Sequence, residues 1–121
     1  MRRELGRLRP SALVAAGASV GAVCRYLLAV ALPGAFPWGT LAANVLGAFA
    51  LGALTATDRS RTVSLLAGTG FCSSFTTYST FAVETVGLAP PTAGAYVALT
   101  YAAGLIAVVL GRRAGATGVD A

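Results

Sequence analysis

From Gly70 to Phe81 the chain reads GFCSSFTTYSTF, and between Cys72 and Thr80 only Phe75 lacks a polar atom on its side chain. The segment around it is apolar. Serine and threonine hydroxyls both donate and accept hydrogen bonds without carrying charge. In a helix they bond back to a preceding carbonyl and tend to bend it. A cluster this dense predicts a helix broken near its middle. Broken backbone at membrane depth is tolerated only where it is packed in protein or lines a water-filled cavity. Freed carbonyls then suit a cation, and hydroxyl and amide hydrogens suit an anion, as in the discontinuous helices of transporters. The plainer alternative is an internal hydrogen-bonded seam between helices.

Other polar residues stand out against the same background. Asn44 is the only carboxamide in the chain. It is either interhelical glue or a donor toward a polar pathway, because an amide in hydrocarbon must be bonded or face water. Arg25 interrupts the first apolar run and either anchors at an interface or attracts an anion. Glu84 is the only acid within a span. It is either paired with Arg25 or placed at an interface on its own. Tyr96 and Thr100, at i and i+4, share one helical face, with Tyr101 off it. Cys24 and Cys72 read as small packing residues rather than a disulfide framework. With no histidine and no cysteine–histidine cluster, no zinc or copper site is visible. Without a nucleophile–base pair, an enzyme reading has no support.

The elements that must carry these residues follow from composition. Hydrophobic residues make up 56% of the 121 and charged residues 11%, against about 25% charged in ordinary soluble domains. A soluble chain this short cannot hide so much apolar surface. Charge-free runs cover residues 10–24, 26–57, 62–83 and 85–111. Pro33, Gly34 and Pro37 cut the second run, and Pro90 and Pro91 cut the fourth. Four spans result, at about residues 11–32, 38–57, 62–87 and 92–111, each near the roughly 20 residues a crossing helix needs. The reading is an all-α integral membrane protein with a basic N-terminal tail (1–10), a four-helix membrane domain (11–111) and a C-terminal tail (112–121). The first span is retained rather than a cleaved signal. Gly17-x-x-x-Gly21 within it is a small-xxx-small pattern for close helix contact.

All nine basic residues are arginine. Eight lie in the two tails or the loop holding Arg59 and Arg61, and none in residues 33–37 or 88–91. By the positive-inside rule both termini are cytoplasmic. The basic tail also suits anionic lipid headgroups. With no basic soluble domain, nucleic acid is excluded as a partner.

Arg25-Tyr26 after a Gly-rich first span, GTLAAN at Gly39–Asn44, and GFCSSFTTYSTF followed by Glu84 together resemble the fluoride channels of the Fluc/CrcB type. The resemblance runs from about Gly17 to Gly111. It implies four-helix subunits assembled as antiparallel, dual-pore dimers in the plasma membrane, which let fluoride leave the cytoplasm passively and so lower its toxicity. It places Asn44 at the pore asparagine. Tyr78 and Phe81 match two phenylalanines whose ring edges face fluoride, with the hydroxyls of Ser79 and Thr80 beside them. Tyr96 and Thr100 match a polar track on the fourth helix, and Arg25 matches the first-span arginine. Ser73 and Thr76 match the positions whose backbone carbonyls hold a structural, non-transported Na⁺. Two departures are visible: the family usually has Gly-Gly where Ser73-Ser74 stand, and phenylalanine where Tyr78 stands.

The arginine bias adds an expectation of its own. A subunit fixed with both termini inside cannot form an antiparallel dimer with itself, so the expected partner is an oppositely oriented homologue. The rivals are a small four-helix multidrug/proton exporter, which needs an ionisable acid deep in its chamber, and a structural membrane subunit, which does not need so many hydroxyls in one span.

Overall fold

The computed structural model describes residues 1–120, with side chains at residue 1 and residues 9–118. Arg2, Arg3 and Arg7, counted above in the basic tail, lie outside the described side chains. The chain is all-helical, with no strand among the described residues. Helix α1 is Arg2–Ala31 and α2 is Trp38–Thr55. The third segment begins with α3, a continuous helical run over residues 61–75, and resumes as α4, Ser79–Gly87. Helix α5 is Pro90–Asp120. Three helical stretches are long and apolar enough to cross a membrane: Arg9–Ala31, Trp38–Thr55 and Pro90–Gly118.

The ends are set by local chemistry. Pro33 and Pro37 bracket the turn from α1 to α2, and α2 opens on Trp38 directly after Pro37. Ser60 caps α3, its hydroxyl accepting from the Val63 N–H at 3.2 Å. Pro90 opens α5 at the position where a missing N–H is harmless. Helices α1 and α5 run past the spans placed at 11–32 and 92–111, because the end of an apolar run does not end a helix. Arginine and leucine are good helix formers on either side of a membrane boundary.

Within α3, residues Ser64–Cys72 are π-helical. Such widened turns ordinarily occur singly and at functional sites. The widening brings residues five apart onto one face.

Two parallel pairs organise the packing, α1 with α3 and α2 with α5, and these make the most extensive contacts. Both are sealed by glycine. In lipid no hydrophobic force drives helices together, so close van der Waals approach must do so. A Cβ on Gly17 would collide with the Leu66 carbonyl of α3, and one on Gly111 with the Phe49 carbonyl of α2. The weak Gly17-x-x-x-Gly21 pattern therefore marks a true contact face, since Gly21 meets the Phe71 carbonyl in the same way.

Gly17→Leu is expected to destabilise the folded subunit by about 1–3 kcal/mol through overpacking. Gly94→Ala, whose Cβ would meet nothing within 4 Å, should stay within about 0.5 kcal/mol of the parent. Denaturant titration in detergent micelles measures both.

Candidate functional site

Helical backbone stops at Phe75. Thr76 is extended (φ −83°, ψ 159°), and helix resumes at Ser79. Thr76 still closes the last helical turn of α3, and the Thr77 and Thr80 N–H groups leave the helical ladder for side-chain partners. The Thr76 N–H and hydroxyl both donate to the Cys72 carbonyl, at 3.0 and 2.9 Å. Thr77 N–H donates to Asn44 Oδ1 at 2.7 Å, and Asn44 Nδ2 donates to the Thr77 carbonyl at 2.9 Å. The side-chain amide of α2 thus does for Thr77 what a neighbouring helical turn would otherwise do. Thr77 Oγ1 accepts from the Thr80 N–H at 3.2 Å and so caps α4.

These bonds leave acceptors behind. In a continuous α-helix the Thr77 and Thr80 N–H groups would bond the carbonyls of Ser73 and Thr76. Here both N–H groups are diverted to side chains. The carbonyls lie at the C-terminal end of α3, where the helix dipole is negative. Ser73 itself is helical (φ −64°, ψ −32°), and among the described residues only Gly34 has positive φ. The interruption therefore does not call for glycine at 73 or 74. Ser74 instead donates to the Ala18 carbonyl of α1 at 2.6 Å.

A cavity of about 450 Å³ opens beside the interruption. Asn44, Thr77, Tyr78, Phe81 and Thr100 lie in its wall, together with Tyr101 and Cys72. Among the described residues no charged side chain lines it. Among the described residues, Thr100 Oγ1 is the one buried side-chain polar atom without a hydrogen-bond partner. Asn44 spends one amide hydrogen on Thr77 and keeps the other. Phe81 is held edge-to-face against Tyr101 (centroids 6.2 Å, 81°) and also packs on Tyr78 at 6.0 Å and Tyr96 at 5.0 Å.

The remaining sequence-stated residues fall elsewhere. Ser79 and Thr80 are exposed beside the cavity rather than in its wall. Tyr96 is 0% exposed and sits in the core with Leu41 and Phe81. Its hydroxyl donates to Glu84 Oε2 at 3.0 Å, while Thr40 donates to Oε1 at 2.8 Å. Glu84 thus ties α4 to both α2 and α5. It lines a separate cavity of about 330 Å³ beneath the α1–α2 turn. Arg25 is half-buried and forms no ion pair with Glu84 among the described residues.

Three contributors escaped the sequence reading. Thr77 carried a usable signal, since Thr77-x-x-Thr80 has the spacing of a cap at a helix start. Thr40 lies four residues before Asn44, on the same face of α2. Tyr101, set aside for lying off the Tyr96–Thr100 face, lines the cavity because the wall wraps beyond one stripe.

The fold and this site define an all-helical membrane protein whose uncharged polar groups gather at an interrupted third segment. Residues 12–112 match the family described as CrcB-like protein, Camphor Resistance (CrcB). A protein of Natronomonas pharaonis named fluoride-specific ion channel FluC 1 is 55% identical over 109 residues, covering 86% of this chain and 92% of its own. Two from Halobacterium salinarum are also similar. FluC 2 is 55% identical over 115 residues (90% of this chain, 88% of its own), and FluC 1 is 46% identical over 80 (65% and 67%). The chain belongs to the CrcB-like family.

Asn44→Ala strands the Thr77 N–H and carbonyl together. The expected loss is about 1–3 kcal/mol for each unsatisfied buried group, read as a lowered unfolding midpoint in micelles. An unchanged midpoint would show that the amide does not hold the interruption in place.

Proposed function

We propose that the chain is a subunit of a fluoride-specific channel, not an enzyme, that lets fluoride leave the cytoplasm down its gradient across the plasma membrane. The observation that carries this is the uncharged wall uniting Asn44, Tyr78, Phe81 and Thr100. Fluoride is small and strongly hydrated, so donors must replace its water. The spare Asn44 amide hydrogen and the unpartnered Thr100 hydroxyl are such donors. The edges of the Tyr78 and Phe81 rings carry positive potential suited to an anion. Ser79 and Thr80 add hydroxyls at the cavity's rim. Tyr96 acts from behind, through Glu84 and the Phe81 ring, and Arg25 anchors α1 toward the far interface. The names of the similar proteins agree with this reading.

The working unit in this reading is an antiparallel dimer with two pores. Ser73, Tyr78, Ser79 and Thr80 are exposed at membrane depth in the single chain, Tyr78 by 74%. Polar side chains facing hydrocarbon call for a protein cover. The freed carbonyls of Ser73 and Thr76 fit a Na⁺ ion. They are hard oxygen donors at a negative helix end, and among the described residues no cluster of acidic, histidine or cysteine side chains competes for such an ion. Two carbonyls are too few for a whole coordination shell, so a second subunit would supply the rest. The cation would offset the lack of basic groups at the pore centre.

The partner we infer is an oppositely oriented homologue, because the arginine bias fixes this chain with both termini inside. Halobacterium salinarum carries two related proteins, named FluC 1 and FluC 2. The exporter reading is disfavoured by Glu84, whose two oxygens are both engaged outside the 450 Å³ cavity.

Fluoride efflux from liposomes, followed with a fluoride electrode in Na⁺, tests the function. Efflux only when a homologue is co-reconstituted is the expected result. Efflux by the chain alone would refute the obligate heterodimer, and none in either case would refute the channel. Terminal tags on intact cells should resist external protease at both ends, and a mixed population would contradict the fixed orientation.

A further inference from the structure

A third hollow, a groove of about 290 Å³, lies between the C-terminal end of α2 and the π-helical part of α3. Ser64, Thr69 and Ser73 line one wall, and Leu51 and Leu54 line the other. It shares Leu51, Gly68 and Ser73 with the 450 Å³ cavity, so the two run together. The π-helical turns account for the hydroxyl row. Residues five and then four apart fall on one face only when the turn is widened.

The hydroxyls of this row, all on exposed residues, differ from those that bond back within their own helices. Those of Ser19, Thr55, Thr76 and Thr85 each bond back to a carbonyl four residues earlier in their own segment. Among the described residues, the Ser64 and Thr69 hydroxyls make no hydrogen bond, and Ser73 makes only a long one, 3.5 Å, to the Gly68 carbonyl. At the inner end of the route the buried Thr100 hydroxyl is also unpartnered. Gly68 lies where the two hollows join, and a Cβ there would meet nothing within 4 Å. The opposite end, at the loop that carries Arg59 and Arg61 against Asp58, is net positive. Arg59 Nη2 donates to the Ala53 carbonyl at 3.3 Å, beside Leu54 and Thr55, and Arg61 is exposed just before Ser64.

We propose that this groove is the anion's entry route from the arginine-bearing end of the subunit, with the Ser64 and Thr69 hydroxyls as a binding station before the Asn44–Thr100 cavity. The proposal rests on the fluoride-channel reading. The arginines concentrate anions at the mouth. The hydroxyls then take over part of the ion's hydration shell, and no charge in the wall holds it there.

Fluoride efflux from liposomes tests the route in three variants of the full chain, each reconstituted with the co-expressed homologue. Gly68→Leu fills the junction without touching the core, Thr69→Val removes a hydroxyl at constant shape, and Gly94→Leu is a control in open space away from the groove. Gly68→Leu should abolish efflux. Thr69→Val should slow it about tenfold, as for one lost hydrogen bond to an ion. Gly94→Leu should match the parent. Parental efflux with Gly68→Leu and Thr69→Val both unaffected would overturn the entry route and leave the channel standing. Absence of efflux from the parent would overturn the channel reading and the route with it. Should Gly68→Leu fail to yield folded protein by gel filtration, Thr69→Val decides alone.

Discussion

The bond pair between the Asn44 amide and both backbone groups of Thr77 is what the rest of the structure depends on. In hydrocarbon an interrupted helix exposes N–H and carbonyl groups that water cannot reach. One carboxamide meets both needs of Thr77 at once, because it carries an acceptor oxygen and a donor nitrogen on the same carbon. With Thr77 held, its hydroxyl is free to cap α4. The cap fixes where the second half-helix begins, and with it the side of the cavity on which Phe81 and Tyr78 project.

Glycine provides a different kind of cohesion. Gly17 and Gly21 let α1 lie backbone to backbone on α3, and Gly52 and Gly111 do the same for α2 and α5. These contacts form within each parallel pair. Across the pairs, where Gly39 of α2 also lies close on Ala29 of α1, there are polar joins as well: Asn44 to Thr77, and Glu84 receiving Thr40 and Tyr96. The bond from the Ser74 hydroxyl to the Ala18 carbonyl reinforces the α1–α3 pair from within, whereas the Asn44 and Glu84 bonds tie the third segment to α2 and α5.

Much of this was legible in the residues alone. The charge-free runs and their prolines located the helical segments, and Asn44 drew notice as the sole amide. Its bond pair with Thr77 is the interhelical glue of one reading, and one amide hydrogen remains to spare. The roles of Glu84 and Tyr96 were less legible. A lone acid in a span invites a search for an arginine, and Arg25 was the only one within a span. The donors came instead from a tyrosine and a threonine, because neutral hydroxyls from two neighbouring helices were already within reach. Tyr96 likewise shares a helical face with Thr100, yet one turn separates a core position from a cavity wall. Spacing reports the face and not the depth. The π-helical stretch, Ser64–Cys72, had no signature in composition.

The polar joins across the pairs differ from the glycine contacts in one further respect. A backbone-to-backbone contact has no other partner to turn to within a bilayer. An amide or hydroxyl has one whenever a good acceptor comes close. On the proposed function, an ion that competes for hydrogens would pass directly beside the seam that keeps the two pairs of helices in register. The subunit's internal cohesion and its grip on the ion would then draw on one small stock of donors. A tighter grip would loosen the seam, which favours brief occupancy over capture.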